Sequence, residues 1–150
     1  MQMVLFQEID RQATAANVIR FLDRPMNHYL ALAGKNRADL RSPILNSQPK
    51  GTPAGNSAEE RMMNVWLAEQ IVECTALAMQ HSRARYRELL LGKYGVEEVA
   101  ASDVAEALHI GATTFTDRQR EALNEFADRF EFQLIKRGLN KEVPDLHVYR

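Results

Sequence analysis

SDVAEALHIGATTFTDRQREALNEF, residues 102–126, has the apolar spacing of two short helices joined by a tight turn. Val104, Ala105 and Leu108 share one face of the first helix, as amphipathic periodicity requires. Ala105 is small enough for a close helix crossing, and Ile110 plugs the core just after the turn. Ile110, Phe115, Ala122 and Leu123 supply the inward face of the second helix. His109 stands at the turn position where glycine is commonest, because the backbone there takes a positive φ that His tolerates better than β-branched residues do. The expectation is a helix-turn-helix. Thr113, Thr114, Thr116, Asp117, Arg118 and Arg120 remain outward, with Arg118 where a third apolar residue often lies. They form a polar set suited to a groove of double-stranded DNA. Thr113 and Thr116 can offer hydroxyl bonds or a methyl contact, Asp117 can accept from cytosine, and Arg118 and Arg120 can reach guanine or phosphate. Ser102 reads as the cap of the first helix, whose amides would face a phosphate. For Arg120 the competing reading is an ion pair with Glu121 or Glu125.

Upstream, Arg83, Arg85, Arg87 and Lys93 form a basic cluster, and Tyr86, Leu89, Leu90 and Tyr94 give it an apolar face that Gly92 and Gly95 should end. Before it, Met63, Leu67, Ile71, Cys74 and Leu77 or Ala78 recur at helical spacing. A long helix is therefore expected from Ser57, broken near His81 and Ser82, with Trp66 and Met62 widening its stripe to pack on the N-terminal part. Ser57 and Glu60 have capping-box spacing. Pro43, Pro49, Gly51, Pro53 and Gly55 mark a linker or arm. Nearer the start, Asp10 can cap a helix carrying Val18, Ile19, Phe21 and Leu22, Pro25 interrupts it, and a second helix carries Tyr29, Leu30 and Leu32 up to Gly34. After the turn motif the second helix can run through Phe126, Phe130, Leu134 and Ile135 to Gly138. The expected fold is all-α: a helical N-terminal region over 1–41, an arm over 42–56, a central helix over 57–82, the DNA-binding helix-turn-helix domain over 83–138, and a tail over 139–150.

The chain of 150 residues, with a net charge of −1, can bury a real core but announces no polyanion partner through its overall field. Any nucleic-acid binding must rest on local patches. The single Cys74 excludes an internal disulfide and reads as a small buried hydrophobe, which fits a reducing, cytoplasmic setting. MQMVLFQEID lacks the basic start and apolar run of a signal peptide, and no run of about 18 uncharged apolar residues suggests a membrane span. His28, His81, His109 and His147 are scattered, so no metal site is expected. No glycine-rich phosphate loop and no convergent acid pair nominates a catalytic residue or a cofactor. The expected partner is double-stranded DNA. A module that binds a protein partner, such as RNA polymerase, without touching DNA is the alternative, and a homo-oligomer paired through the long helix stays open.

RYRELLLGKY, DVAEALHI, TTF and REALNEF, taken together over residues 85–126, resemble the region 4 helix-turn-helix of sigma factors. LFQEID, NVIRFL, SPILNSQPKGTPAGNSAEE and TTFTDRQREALNEFA extend a second resemblance over almost the whole chain, to the ArpU family of phage transcriptional regulators from Gram-positive hosts. RinA-type late-gene activators share the sigma-like part. The resemblance implies a sequence-specific DNA-binding regulator that controls late phage genes in the bacterial cytoplasm, without catalysis; a monomer working beside host RNA polymerase is as open as a dimer. It gives Thr113, Thr114, Thr116, Arg118 and Arg120 the recognition-helix role. The chain departs from the pattern at Asp117, where relatives tend to be basic or aromatic, and at Gly111, where Ser or Thr is the more usual cap.

Overall fold

Asp10 accepts the Ala13 amide at 3.0 Å and starts α1 (Arg11–Asp23), as its position before an apolar helix predicts. The computed structural model describes residues 6–43 and 57–150. Pro25 has no amide hydrogen to continue α1, and instead opens α2 (Pro25–Leu32), which ends before Gly34 at φ +67°. A short 3-10 helix, Arg37–Arg41, follows. Most of the arm lies outside the described residues, including the residue preceding Ser57. α3 (Ser57–Gln80) and α4 (Ala84–Tyr94) are separated at 81–83, as expected. α5 (Ala101–Ala107) and α6 (Ala112–Lys136) complete an all-α fold. No helix among the described residues is long and apolar enough to cross a membrane.

α6 is the axis of the molecule. Its apolar stripe of Phe115, Leu123, Phe126, Phe130 and Leu134 is buried, and the helix packs on α1, α3 and α4, while α2 packs on α3. Phe126 and Phe130 stack at 5.4 Å between centroids, and Phe21 of α1 meets Phe130 at 5.1 Å. One apolar cluster runs from Ala15 to Leu146. Cys74 is wholly inside it, and burial pushes its thiol up to about 11, so it is an inert space-filler as its neighbours suggested.

Two arginines hold the N-terminal region to the end of α4. Arg37 donates to the Leu22 carbonyl and the Asn27 side chain, both at 2.6 Å, and to the Tyr94 carbonyl at 3.4 Å. Arg41 donates to the Leu91 and Gly95 carbonyls at 2.7 and 3.1 Å, which places cations at the negative end of the helix. A Cβ at Gly95 would lie 2.7 Å from the Leu91 carbonyl oxygen, so this residue must be glycine.

Three expectations need correction. Gly92 lies inside α4 rather than ending it, facing Val104 of α5 across a gap that one methyl would fill. Met62 is 70% exposed and does not pack on the N-terminal helices, whereas Trp66 does pack against the core. Residues 139–150 show no periodicity, yet Leu139, Val143 and Leu146 are buried. They run back along α1: Asn17 donates to the Leu146 carbonyl at 2.9 Å, Asp10 to that of Val148 at 2.8 Å, and the Arg150 amide to that of Glu8 at 3.0 Å. Ile9 and Tyr149 form an antiparallel bridge.

His147 pins this segment to α6 and is not the isolated histidine that spacing suggested. Its side chain is 6% exposed, with Nε2 at 2.7 Å from Asp128, and Nδ1 at 2.7 Å from Asp145 and 3.4 Å from Glu131. Tyr149 donates to the other Asp145 oxygen at 2.6 Å. The bonds to Asp128 and Asp145 outweigh burial and raise His147 from 6.5 to about 9. Burial works against the Asp145 charge, but the Tyr149 and His147 bonds outweigh it and hold its carboxyl below the usual value. The Glu131, Asp145 and His147 ligand atoms lie within 4.8 Å of one another, with both carboxylates facing Nδ1 while Nε2 turns to Asp128.

A histidine whose pKa rises on folding stabilises fully below its unfolded value, and that stability fades as pH climbs through the folded value. The clasp should therefore contribute about 1–2 kcal/mol at pH 6, after allowing for water screening at the exposed carboxylates, and nothing by about pH 10. Urea midpoints of the wild type and His147→Gln should differ at pH 6 and converge by about pH 10. A difference independent of pH would remove the ionised clasp.

Candidate nucleic-acid interface

α5 meets α6 through a turn in which the Ile110 amide donates to the Ala105 carbonyl and the His109 amide to that of Glu106, both at 3.0 Å. This is the Schellman pattern, and His109 holds its left-handed position at φ +58°. The same pattern ends α6, where Gly138 takes the left-handed position at φ +70°. Val104 and Ala105 are buried and Ile110 is partly buried against the core.

The first turns of α6 separate cleanly into two faces. Phe115, Ala122 and Leu123 are buried; Thr113, Thr114, Thr116, Asp117 and Arg120 are exposed, and Arg118 is half-buried. Gly111 is the N-cap and offers no side-chain acceptor, and the first turn contains no acidic residue. The leading amides are therefore left to solvent or to an anion. Thr116 turns its hydroxyl proton to the Ala112 carbonyl at 3.0 Å, leaving its oxygen as an acceptor and its methyl outward. Arg120 pairs with Asp117 at 3.4 Å, and with neither Glu121 nor Glu125. Arg118 enters no ion pair among the described residues.

Ser102 does not cap α5. Ala100 occupies the N-cap position, no side chain bonds the first amides, and Ser102 is exposed inside the first turn. The polar set on α6 shares one surface; Ser102 sits on the neighbouring helix.

Part of the basic cluster of α4 is engaged in holding α6. Arg83 binds Glu125 through its amide and its guanidinium, both at 2.8 Å. Arg85 lies over the Tyr86 ring at 4.9 Å, and Tyr86 donates to Glu121 at 2.7 Å, which holds that carboxyl below its usual range. Gln119 donates to the Tyr94 hydroxyl at 3.0 Å, while burial pushes the Tyr94 pKa up to about 12. These bonds set the rotation of α6, and the i, i+4 pair Glu121 and Glu125 opposite Arg83 and Arg85 was their sequence signal. Arg87 is exposed and enters no ion pair among the described residues.

No family profile and no solved structure matches the chain. It is similar to a protein of Enterococcus hirae that carries the name autolysin regulatory protein ArpU, with 23% identity over 130 residues, or 86% of this chain and 94% of the relative.

Proposed function

We propose that the protein is a sequence-specific DNA-binding regulator of transcription, with α5 and α6 as a sigma region 4-like helix-turn-helix and the start of α6 in the major groove. The observation that carries this reading is the start of α6: exposed Thr113, Thr114, Thr116, Asp117 and Arg120 with half-buried Arg118, over a buried Phe115 and behind a helix N-terminus with no side-chain cap. Hydroxyls and guanidinium groups are the donors that read base edges and phosphates, and open helix amides favour an anion. The relative's name, which describes a regulator, supports the same class. The ArpU resemblance supports control of late phage genes.

The test is selection of a binding sequence from a randomised duplex pool, followed by anisotropy at several salt concentrations. Arg118→Ala should weaken the selected duplex by about 5- to 150-fold, the range of one bidentate base contact, and relax preference at one position. Arg120→Ala should weaken all duplexes alike and lower the salt slope by about one. Wild-type protein that enriches no sequence and binds no duplex at low salt would refute the reading. That result favours the second reading, a protein-docking module, which rests on Phe132 and Ile135, exposed at 60% and 55% near the far end of α6.

A further inference from the structure

Beyond the first turns of α6, further arginines approach Arg120 from elements distant in sequence. Asn124, buried on α6, donates through one Nδ2 to the carbonyls of Arg120 at 2.8 Å and Arg11 at 2.9 Å. That shared amide fixes the first residue of α1 against the turn of α6 that carries Arg120. An open cleft forms there, lined by Arg11, Gln12, Arg120 and Arg150 together with Glu8 and Asp10. Three arginines and two carboxylates line it: Asp10 caps α1, Glu8 pairs with Arg150 at 3.3 Å, and Arg120 pairs with Asp117 at 3.4 Å. Arg11 is exposed and enters no salt bridge among the described residues, its charge bearing on Glu121 from a distance.

Resting on the DNA-binding reading above, we propose that this cleft is a second phosphate-binding site, a backbone clamp in which Arg11, Gln12 and Arg150 join Arg120 on the strand bordering the groove. Thr113 and Arg120 are seven residues apart, a rise of about 10 Å along α6, against a major groove about 8.5 Å deep. A helix whose first turn meets base edges brings Arg120, and α1 behind it, to the phosphates at the rim. Guanidinium groups suit that place because their planar donors match phosphate oxygens in pairs. The Arg150 and Asp10 backbone bonds to residues 8 and 148 place the third arginine at the cleft mouth without drawing on its side chain.

The experiment is anisotropy of the full chain with the selected duplex and a scrambled one across a salt series, on Arg11→Gln, Arg150→Gln and Glu8→Gln, each matched to wild type by its urea midpoint. Arg11→Gln and Arg150→Gln should each lower the salt slope by about one and weaken both duplexes by the same factor. Glu8→Gln removes a negative charge and frees Arg150 from its ion pair, and should tighten both. Wild-type slopes in both arginine variants, or losses confined to the selected duplex, overturn the clamp while leaving the helix-turn-helix reading intact. Wild-type protein that binds no duplex overturns both.

Discussion

Phe130→Ala is expected to cost about 3–5 kcal/mol of folding stability, seen as a lower urea midpoint at unchanged slope. The ring is 1% exposed, stacks on Phe126 and meets Phe21 from α1, so its removal empties the place where the N-terminal helices rest on α6. Domains of this size are stable by about 5–15 kcal/mol, and the loss is a large part of that. Phe132→Ala is the control: two residues away on the exposed side, it should stay within about 0.5 kcal/mol. On the DNA-binding reading proposed above, binding should weaken with Phe130→Ala in proportion to the unfolded fraction, because the helix that presents the polar row is the one that loses its support. A change below about 1 kcal/mol would mean that α1 and α6 are held mainly by something other than this cluster.

Arg37→Met should destabilise by about 2–4 kcal/mol in the same measurement. Replacing a buried ion pair by apolar groups is often neutral, because both charges leave together. Arg37 is a different case. Its partners are the carbonyls of Leu22 and Tyr94 and the Asn27 side chain, which remain in place with their polar atoms stranded. Burial lowers the Arg37 pKa while Glu97 and Asp23 work to restore it, so the charge sits in an enclosed but compensated place. Lysine, with one ammonium for three directions, should recover only part of the loss. Stability within about 0.5 kcal/mol of wild type in Arg37→Met would show that water takes over these bonds.

The helices were readable where a local rule decides the backbone. Asp10 before an apolar stripe, Pro25 between two stripes, and His109 and Ile110 at the end of α5 each act through neighbours within five residues, and each behaves as its chemistry predicts. The outward face of α6 was readable for the same reason, since one helical period sorts Phe115 and Leu123 from Thr113 and Arg120. What escaped was tertiary. Gly92 resembles a terminator in sequence, yet it stays helical beside Val104. Ser102 looks like a cap, but α5 begins before it. His147 meets Asp128 and Glu131 across a chain reversal that no period encodes, and Arg37 looks like any surface arginine until Leu22 and Tyr94 are brought to it. Arg11 was missed because the cleft it shares with Arg120 exists only once Asn124 has joined two helices.

The backbone and side-chain bonds of the C-terminal segment join residues as far as 134 and 142 positions apart. At equilibrium that separation matters little, since doubling a closed loop costs only about 0.6 kcal/mol. Its weight falls on the order of events. Neighbouring helices can pair quickly through local contacts, whereas contacts between distant segments await a chain that is already largely collapsed. The segment that braces Arg150 beside α1, with Leu139, Val143 and Leu146 in the core, is accordingly gained late.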